Sequence, residues 1–242
     1  MITKARQPFS QDPSKYAADS LPSLGDWKTL WNHWDTVSRH MLSCTALMSK
    51  PIKLRNACIF YVGHIPTFLD ILLNKAISNN DAKFGPLAAP TEPASYSRIF
   101  ERGIDPDVDN PEQCHAHSDI PDSWPPLDEI LQYQGKVRAR LEQIYNLTET
   151  SGRPFEETIG RSVARAVWMA FEHEAMHLET LLYMMLHSDE TRPPPDIETP
   201  DWETMAKNAR QQRVENEWHR VPRQTVDVGM DSQDQVGEHF GW

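Results

Sequence analysis

Cysteine is scarce in this sequence. The three cysteines, Cys44, Cys58 and Cys114, are odd in number and form no C-x-x-C pair. This pattern does not indicate the disulfide framework of a small secreted domain. We therefore predict small or inert thiols in a reducing compartment.

Long apolar runs and an excess of positive charge are also missing. No stretch of 18 apolar residues occurs, and the N-terminus lacks the apolar segment of a signal peptide. Lys and Arg number 24 against 35 Asp and Glu, for a net charge of -11. This charge argues against nucleic acid or an anionic membrane as partner. A soluble, cytoplasmic protein is expected.

The length and the apolar content fit one core domain with appendages. The chain has 242 residues, of which 39% are hydrophobic, enough for a buried bundle. Apolar spacing predicts four helices, at 24–48, 51–76, 127–146 and 155–186. About fifty residues rich in Pro, Asp and Ser separate the second helix from the third, and we expect them to cover the mouth of the bundle. Residues 192–200 resemble an extended linker.

A pair of histidines on the fourth predicted helix has the spacing of metal ligands. His173 and His177 stand four residues apart, so both imidazoles project from one face about one turn apart. Neutral imidazole suits Zn, Fe, Cu or Ni, and one pair leaves at least one protein ligand to be found. The alternative is a buried helix with two core histidines.

The residues leave the third ligand open. His173 to His177 match the H-E-x-x-H pattern of zinc proteases, in which Glu174 would be the general base. Glu179 points too far around the helix to help. His64 lies on the second apolar helix beside Gly63 and the interior Pro66, which removes a backbone hydrogen bond. Taken alone, a histidine in the position of His64 is more often a core residue than a ligand.

Two segments carry a resemblance to a known family. "FYVGHIPTFLD" and "EHEAMHLETLLYM" resemble the iron-binding N-terminal domain of the sulfoxide synthases of ergothioneine biosynthesis. The segment from Tyr96 to Leu141 is similar to the fungal form. The resemblance implies an all-α, DinB-like, up-down-up-down four-helix bundle with a long loop between helices 2 and 3 and an extended C-terminal tail.

The resemblance also implies a metal and a reaction. His64, His173 and His177 match the family's three ligands of a non-haem Fe(II). The implied reaction joins cysteine or γ-glutamylcysteine to hercynine with O2, so the expected partners are a thiol, hercynine and O2. The implied domains are an N-terminal extension at 1–20, the metal-binding bundle at 21–190, a linker at 191–216, and at 217–242 the truncated start of a formylglycine-generating-enzyme-like domain. That domain, or a separate catalytic chain, would supply a catalytic tyrosine, and no residue of this chain is assigned a catalytic role.

Several expectations remain beside this one. Arg138 and Arg165 are candidates to hold a substrate carboxylate, although helix-surface ion pairs are the commoner role. His115 and His117, in the long loop, are expected to be surface residues, with a role as alternate metal ligands as the less common possibility. The competing functions are a DinB-like metal-dependent thiol S-transferase and a non-catalytic metal-binding remnant. Whether this chain alone is an enzyme is left open, because the resemblance implies that the second domain is needed.

Overall fold

The structure is a computed structural model in which the chain forms two compact units, with the boundary between Pro195 and Asp196. The residues that it describes are 21–53, 55–77, 83–101, 104–106, 114–116, 121–153, 155–198, 200–218, 220, 222, 223 and 225. The expected extension at 1–20 and most of the expected second-domain start at 217–242 lie outside these residues. The predicted domain boundaries stay predictions.

The first helix, α1, spans Leu24–Asp35 and begins at a capping box. The Ser23 hydroxyl accepts a hydrogen bond from the Asp26 N–H at 3.2 Å, and the Asp26 carboxylate accepts one from the Ser23 N–H at 2.8 Å. These bonds satisfy N–H groups that have no partner inside the helix. Trp27 and Trp34 are fully buried on the inner face.

The prediction of one helix over 24–48 is wrong. A π-helix at Thr36–Met41 follows α1, and a short helix α2 at Cys44–Met48 comes after a break. The Ser38 hydroxyl donates to the Trp34 carbonyl at 2.7 Å, a back-bond that competes with regular helical bonding. Leu42 is extended, and Ser43 caps α2. Local side-chain hydrogen bonds therefore interrupt the apolar repeat.

The second predicted helix starts later than expected. Helix α3 spans Cys58–Ala76, and Pro51 lies outside it, so the predicted start at Pro51 is wrong. The Cys58 N–H donates to the Ser49 carbonyl at 3.1 Å, which closes the turn between α2 and α3. Pro66 lies inside α3 as predicted, and the helix continues through it.

The long connection contains regular structure. It forms a 3-10 helix at Gly85–Ala88, helix α4 at Tyr96–Phe100, and strands β1 at Ile104–Pro106 and β2 at Cys114–Ala116, which pair antiparallel with Asp105 opposite His115. Arg140 anchors it, donating to the Asp70 carboxylate at 2.6 Å and to the Leu87 carbonyl at 2.9 Å. The 3-10 helix is therefore tied to α3 and to the helix that carries Arg140.

The last helices of the first unit are α5 at Leu127–Ser151, α6 at Phe155–Ile159 and α7 at Arg161–Met185. The prediction of one helix over 155–186 is wrong, because Gly160 has φ +83 and separates α6 from α7. A positive φ is incompatible with the right-handed helix and favours glycine.

The helices pack around α3, which contacts α4, α5 and α7, while α1 packs on α7. The expectation of a helical fold is confirmed; the up-down-up-down order stays a prediction. The second unit contains helix α8 at Trp202–Gln211, so the expectation of an extended tail is wrong there. Among the described helices, none has the length and apolar content needed to cross a membrane.

Candidate metal site

The contact between α3 and α7 brings three predicted site residues together. His64 of α3 meets His173 and His177 of α7, and one ring nitrogen from each lies within 4.8 Å of the other two. His64 and His173 are buried, whereas His177 is partly exposed. The cluster therefore has one side toward solvent and two ligand candidates in the interior.

One pair of these nitrogens has the spacing expected of two ligands of a single ion. The Nε2 atoms of His64 and His173 are 3.2 Å apart. Metal–nitrogen bonds of about 2.1 Å place neighbouring ligand atoms about 3.0 Å apart at 90° and about 3.4 Å apart at the tetrahedral angle. The observed distance lies between these values.

A backbone carbonyl sets the tautomer of His64. The Nδ1 atom of His64 is 2.6 Å from the carbonyl oxygen of Phe100, the last residue of α4. Because a carbonyl only accepts hydrogen bonds, Nδ1 carries the proton and the Nε2 lone pair faces the other histidines. Such a bond on the far nitrogen is usual for metal-binding histidines.

Aromatic side chains of α3 hold the imidazoles in place. Phe60 stacks on His64 with ring centroids 5.0 Å apart, and Phe68 stacks on His173 at 3.7 Å. Tyr61 lies 5.3 Å from the His177 ring. Phe60, His64 and Phe68 follow one another at intervals of four. This aromatic spacing around His64 is visible in the sequence, but the prediction of the site did not use it.

Burial keeps the three imidazoles neutral. Desolvation lowers the pKa of His64 to about 4, although the bond to Phe100 opposes the shift. Desolvation, together with repulsion from His64, lowers the pKa of His177 to about 3. It also lowers the pKa of His173 strongly. Metal binding requires neutral imidazole, so near neutral pH these side chains need not lose a proton first.

A cation lies near the open side of the cluster. The Nε of Arg55 donates to the Tyr183 hydroxyl at 2.8 Å, and its positive charge contributes to the lowered pKa of His177. Met176, 42% exposed, lies on the same side of α7 as Tyr183, which is one heptad further on. Neither Arg55 nor Tyr183 was predicted from the sequence, because no spacing rule links Arg55 to α7.

Glu174, the general base of the protease hypothesis, faces a different neighbourhood. Its carboxylate is buried and lies 3.9 Å from the Arg138 guanidinium, which in turn donates to Asp35 at 2.9 Å. Burial raises the pKa of Glu174 to about 7, against the pull of Arg138. A carboxyl engaged with α5 and α1 is poorly placed to activate a water at the histidines. Glu179 is exposed.

The other candidates are not brought to the cluster by any contact within the described residues. Arg165 is exposed on α7, eight residues before His173. His115 lies in β2, its side chain is outside the described part of the structure, and His117 is outside it altogether. Substrate binding by Arg138 and Arg165 stays a prediction.

The helical fold has counterparts among known proteins. A sequence profile described as the DinB superfamily matches residues 26–181. The chain belongs to this superfamily, which confirms the predicted DinB-like fold.

Two similar proteins come from fungi. The chain is 51% identical, over 245 residues, to the Ergothioneine biosynthesis protein 1 of Neurospora crassa, in an alignment that covers 100% of this chain and 26% of that protein. It is 34% identical over 167 residues to the Ergothioneine biosynthesis protein 1 of Schizosaccharomyces pombe, covering 69% of this chain and 20% of that protein. The predicted resemblance is confirmed, and the chain spans about a quarter or less of the length of the curated relatives that it matches.

Proposed function

We propose that this chain is the iron-binding module of an ergothioneine-type sulfoxide synthase, with His64, His173 and His177 as the ligands of Fe(II). The observation that carries the proposal is the convergence of three neutral imidazoles within 4.8 Å in a DinB-superfamily chain. The 51% identity to a fungal ergothioneine biosynthesis protein supports the choice of reaction. A cytoplasmic location is part of the proposal and is supported by the free thiols of Cys44 and Cys58.

The donor set suits the proposed ion. Three imidazoles resemble the facial arrangement of non-haem Fe(II) oxygenases, with a histidine in place of the carboxylate. Iron bound there would supply the redox chemistry with O2. The chain's own residues orient the donors: Phe100 fixes the tautomer of His64, and Phe68 restrains the His173 ring.

The proposed reaction joins the sulfur of cysteine or γ-glutamylcysteine to an imidazole carbon of hercynine. The S–H and C–H bonds break, and a C–S bond and an S–O bond form. One atom of O2 ends in the sulfoxide and the other leaves as water, so the four electrons removed from the substrates reduce one O2. The partly exposed side of the cluster, at His177, is where small substrates would approach. The rest of a longer protein, or a separate catalytic chain, would complete the substrate pocket.

Metal content tests the ligand assignment. His64→Gln, His173→Gln and His177→Gln should each lose bound Fe(II) while remaining folded, because the core of the helices packs without the ion. Iron is measured per chain after anaerobic loading and desalting, and folding by circular dichroism. His187→Gln, at an exposed histidine just beyond α7, is the matched control and should bind like the wild type. Retention of iron by all three variants would refute the site.

A thiol S-transferase is the second candidate, because three imidazoles accept zinc as readily as iron. In that case the metal would lower the pKa of a bound thiol without redox chemistry. The metal recovered from the native host separates the two functions. Zinc at one per chain, with no O2 uptake when the whole protein is given thiol and hercynine, would favour the transferase. Metal without either activity would indicate a binding remnant.

A further inference from the structure

A second set of polar side chains lies beside the histidines, where α1, the π-helix, α5 and α7 meet. We call it the Arg138 cluster, and its members are Asp35, Arg39, Gln134, Arg138 and Glu174. The Arg138 guanidinium donates to Asp35 at 2.9 Å and lies 3.9 Å from Glu174. Arg39 lies 3.4 Å from Asp35 and donates to the Gln134 side-chain oxygen at 2.9 Å.

The inner part of the cluster is buried, whereas the side chains of Asp35 and Arg39 at its rim are 27% and 37% exposed. The side chains of Glu174 and Arg138 are 5% and 15% exposed, and Gln134 is buried. Trp31 covers one side, its ring centroid 5.1 Å from the Arg138 guanidinium carbon. Within the described residues, the Nη2 of Arg138 and the Oε1 of Glu174 have no hydrogen-bond partner. The attraction between the two charges at 3.9 Å is therefore what offsets their burial and constrains their directions.

Glu174 directly follows His173 in α7. Neighbouring helical residues point about 100° apart, so α7 presents His173 to α3 and Glu174 to α5 at the same level. If Glu174 is held against Arg138, the rotation of α7 about its axis is set at that level. The same rotation sets the direction of His173 and, one turn on, of His177.

We propose that Arg138 is a positioning residue for the metal site, because its contact with Glu174 fixes the rotation of α7 that turns His173 toward His64. Asp35 accepts a hydrogen bond from the Nη1 of the guanidinium, whereas Nη2 faces Glu174, so α1 and α5 together hold α7. The inference rests on the proposed metal site and adds a residue that does not touch the metal.

The histidine nitrogens must be placed accurately to bind one ion, so the restraint on the rotation of α7 matters. An imidazole nitrogen lies about 6 Å from the axis of its helix, so a rotation of about 10° displaces it by about 1 Å. Productive sites hold their groups to within about 0.5 Å. A small loss of restraint at Glu174 is therefore enough to spread the histidine nitrogens.

The test is the affinity of Arg138→Met for Co(II), used as a spectroscopic probe in the absence of substrate. We expect the Kd measured on folded protein to rise about 10- to 100-fold, the usual effect of losing a partner that orients metal ligands. The visible d–d spectrum of bound Co(II) should change as well. A residue that serves stability alone would leave both unchanged once the protein is folded.

Ile144→Ala is the matched control. Ile144 is fully buried on the same helix, six residues and about 9 Å beyond Arg138, and its truncation lowers stability by leaving a cavity. We expect a lower thermal midpoint with a Co(II) Kd within about twofold of wild type, as for an independent site. Should Arg138→Met fail to fold, the double variant Arg138→Met/Glu174→Met removes both charges together and is measured in its place.

Three results decide the question. A wild-type Kd and spectrum in folded Arg138→Met, or in the double variant, would overturn the positioning role and leave substrate binding as the candidate role of Arg138. Equal weakening of Co(II) binding by Ile144→Ala would overturn it too, since general loosening would then suffice. If wild-type protein binds no Co(II), the proposed metal site itself fails together with the inference built on it.

Discussion

At the scale of single residues, burial of the histidines should make the metal-free protein sensitive to acid. Desolvation lowers the pKa of His177 from 6.5 to about 3 in the folded chain. Between these pH values the unfolded chain binds the additional proton, so stability falls as the pH falls. His177→Gln should lack this loss. The free energy of unfolding of wild type, relative to that of the variant, should therefore fall by about 1.4 kcal/mol for each pH unit below pH 6.5. Urea unfolding in chelator, from pH 7 to pH 4, measures it.

His64 provides the comparison for this experiment. Its pKa is lowered from 6.5 to about 4. His64→Gln should therefore reduce the dependence of stability on pH over a shorter pH range than His177→Gln does. Because each variant is compared with wild type at the same pH, the titration of other groups such as Glu174 cancels. Parallel stability curves for wild type and both variants would contradict neutral, buried imidazoles in the fold.

At the scale of elements, α3 and α4 approach so closely that only glycine fits at position 63. A Cβ on Gly63 would overlap the Phe100 ring, which is fully buried and stacked on Trp124. We expect Gly63→Ala to destabilise the protein by about 1 to 3 kcal/mol, the usual cost of overpacking. It should also weaken metal binding, because displacement of α4 moves the Phe100 carbonyl away from His64.

Gly135 in α5 is the matched control for this substitution. Apart from the adjacent residues and the backbone of its own helix, no atom lies within 4 Å of a Cβ placed there. Gly135→Ala should therefore stabilise the helix by about 0.5 to 1 kcal/mol. Unfolding of both variants in guanidinium chloride measures the change in the free energy of unfolding, which should be a decrease for Gly63→Ala and an increase for Gly135→Ala. A neutral Gly63→Ala would show that α4 can withdraw from α3 without cost.

At the scale of the whole molecule, metal binding should raise the temperature of unfolding. An ion that binds only the folded chain adds about 2.7 kcal/mol at a free concentration of 100 Kd, or about 5 to 11 °C for a chain of this size. Scanning calorimetry under anaerobic Fe(II), with and without a chelator, measures the shift. His173→Ala should keep the metal-free midpoint within a few degrees and lose the shift, and an undiminished shift in that variant would place the ion elsewhere.

Some element boundaries could not be predicted from apolar spacing. The repeat across 24–48 continues through Leu42, but the hydroxyls of Ser38 and Ser43 bond to the local backbone and divide the segment into three helical pieces. Gly160 in the same way separates α6 from α7 by its positive φ. Apolar periodicity reports which face is buried, whereas these breaks depend on individual hydrogen bonds and dihedral angles.

The sequence by itself determined that His173 and His177 share a face, because four residues correspond to one helical turn wherever α7 packs. It also carried the resemblance that selected His64. Only the tertiary structure decided how His64, 109 residues before His173, reaches within 3.2 Å of it, and that the Phe100 carbonyl fixes its tautomer. The contacts of Glu174 with Arg138, and of Arg138 with Asp35, likewise join three different helices. Local spacing follows from the backbone repeat, but contacts between distant residues exist only once the helices have packed, and the geometry of this site depends on those contacts.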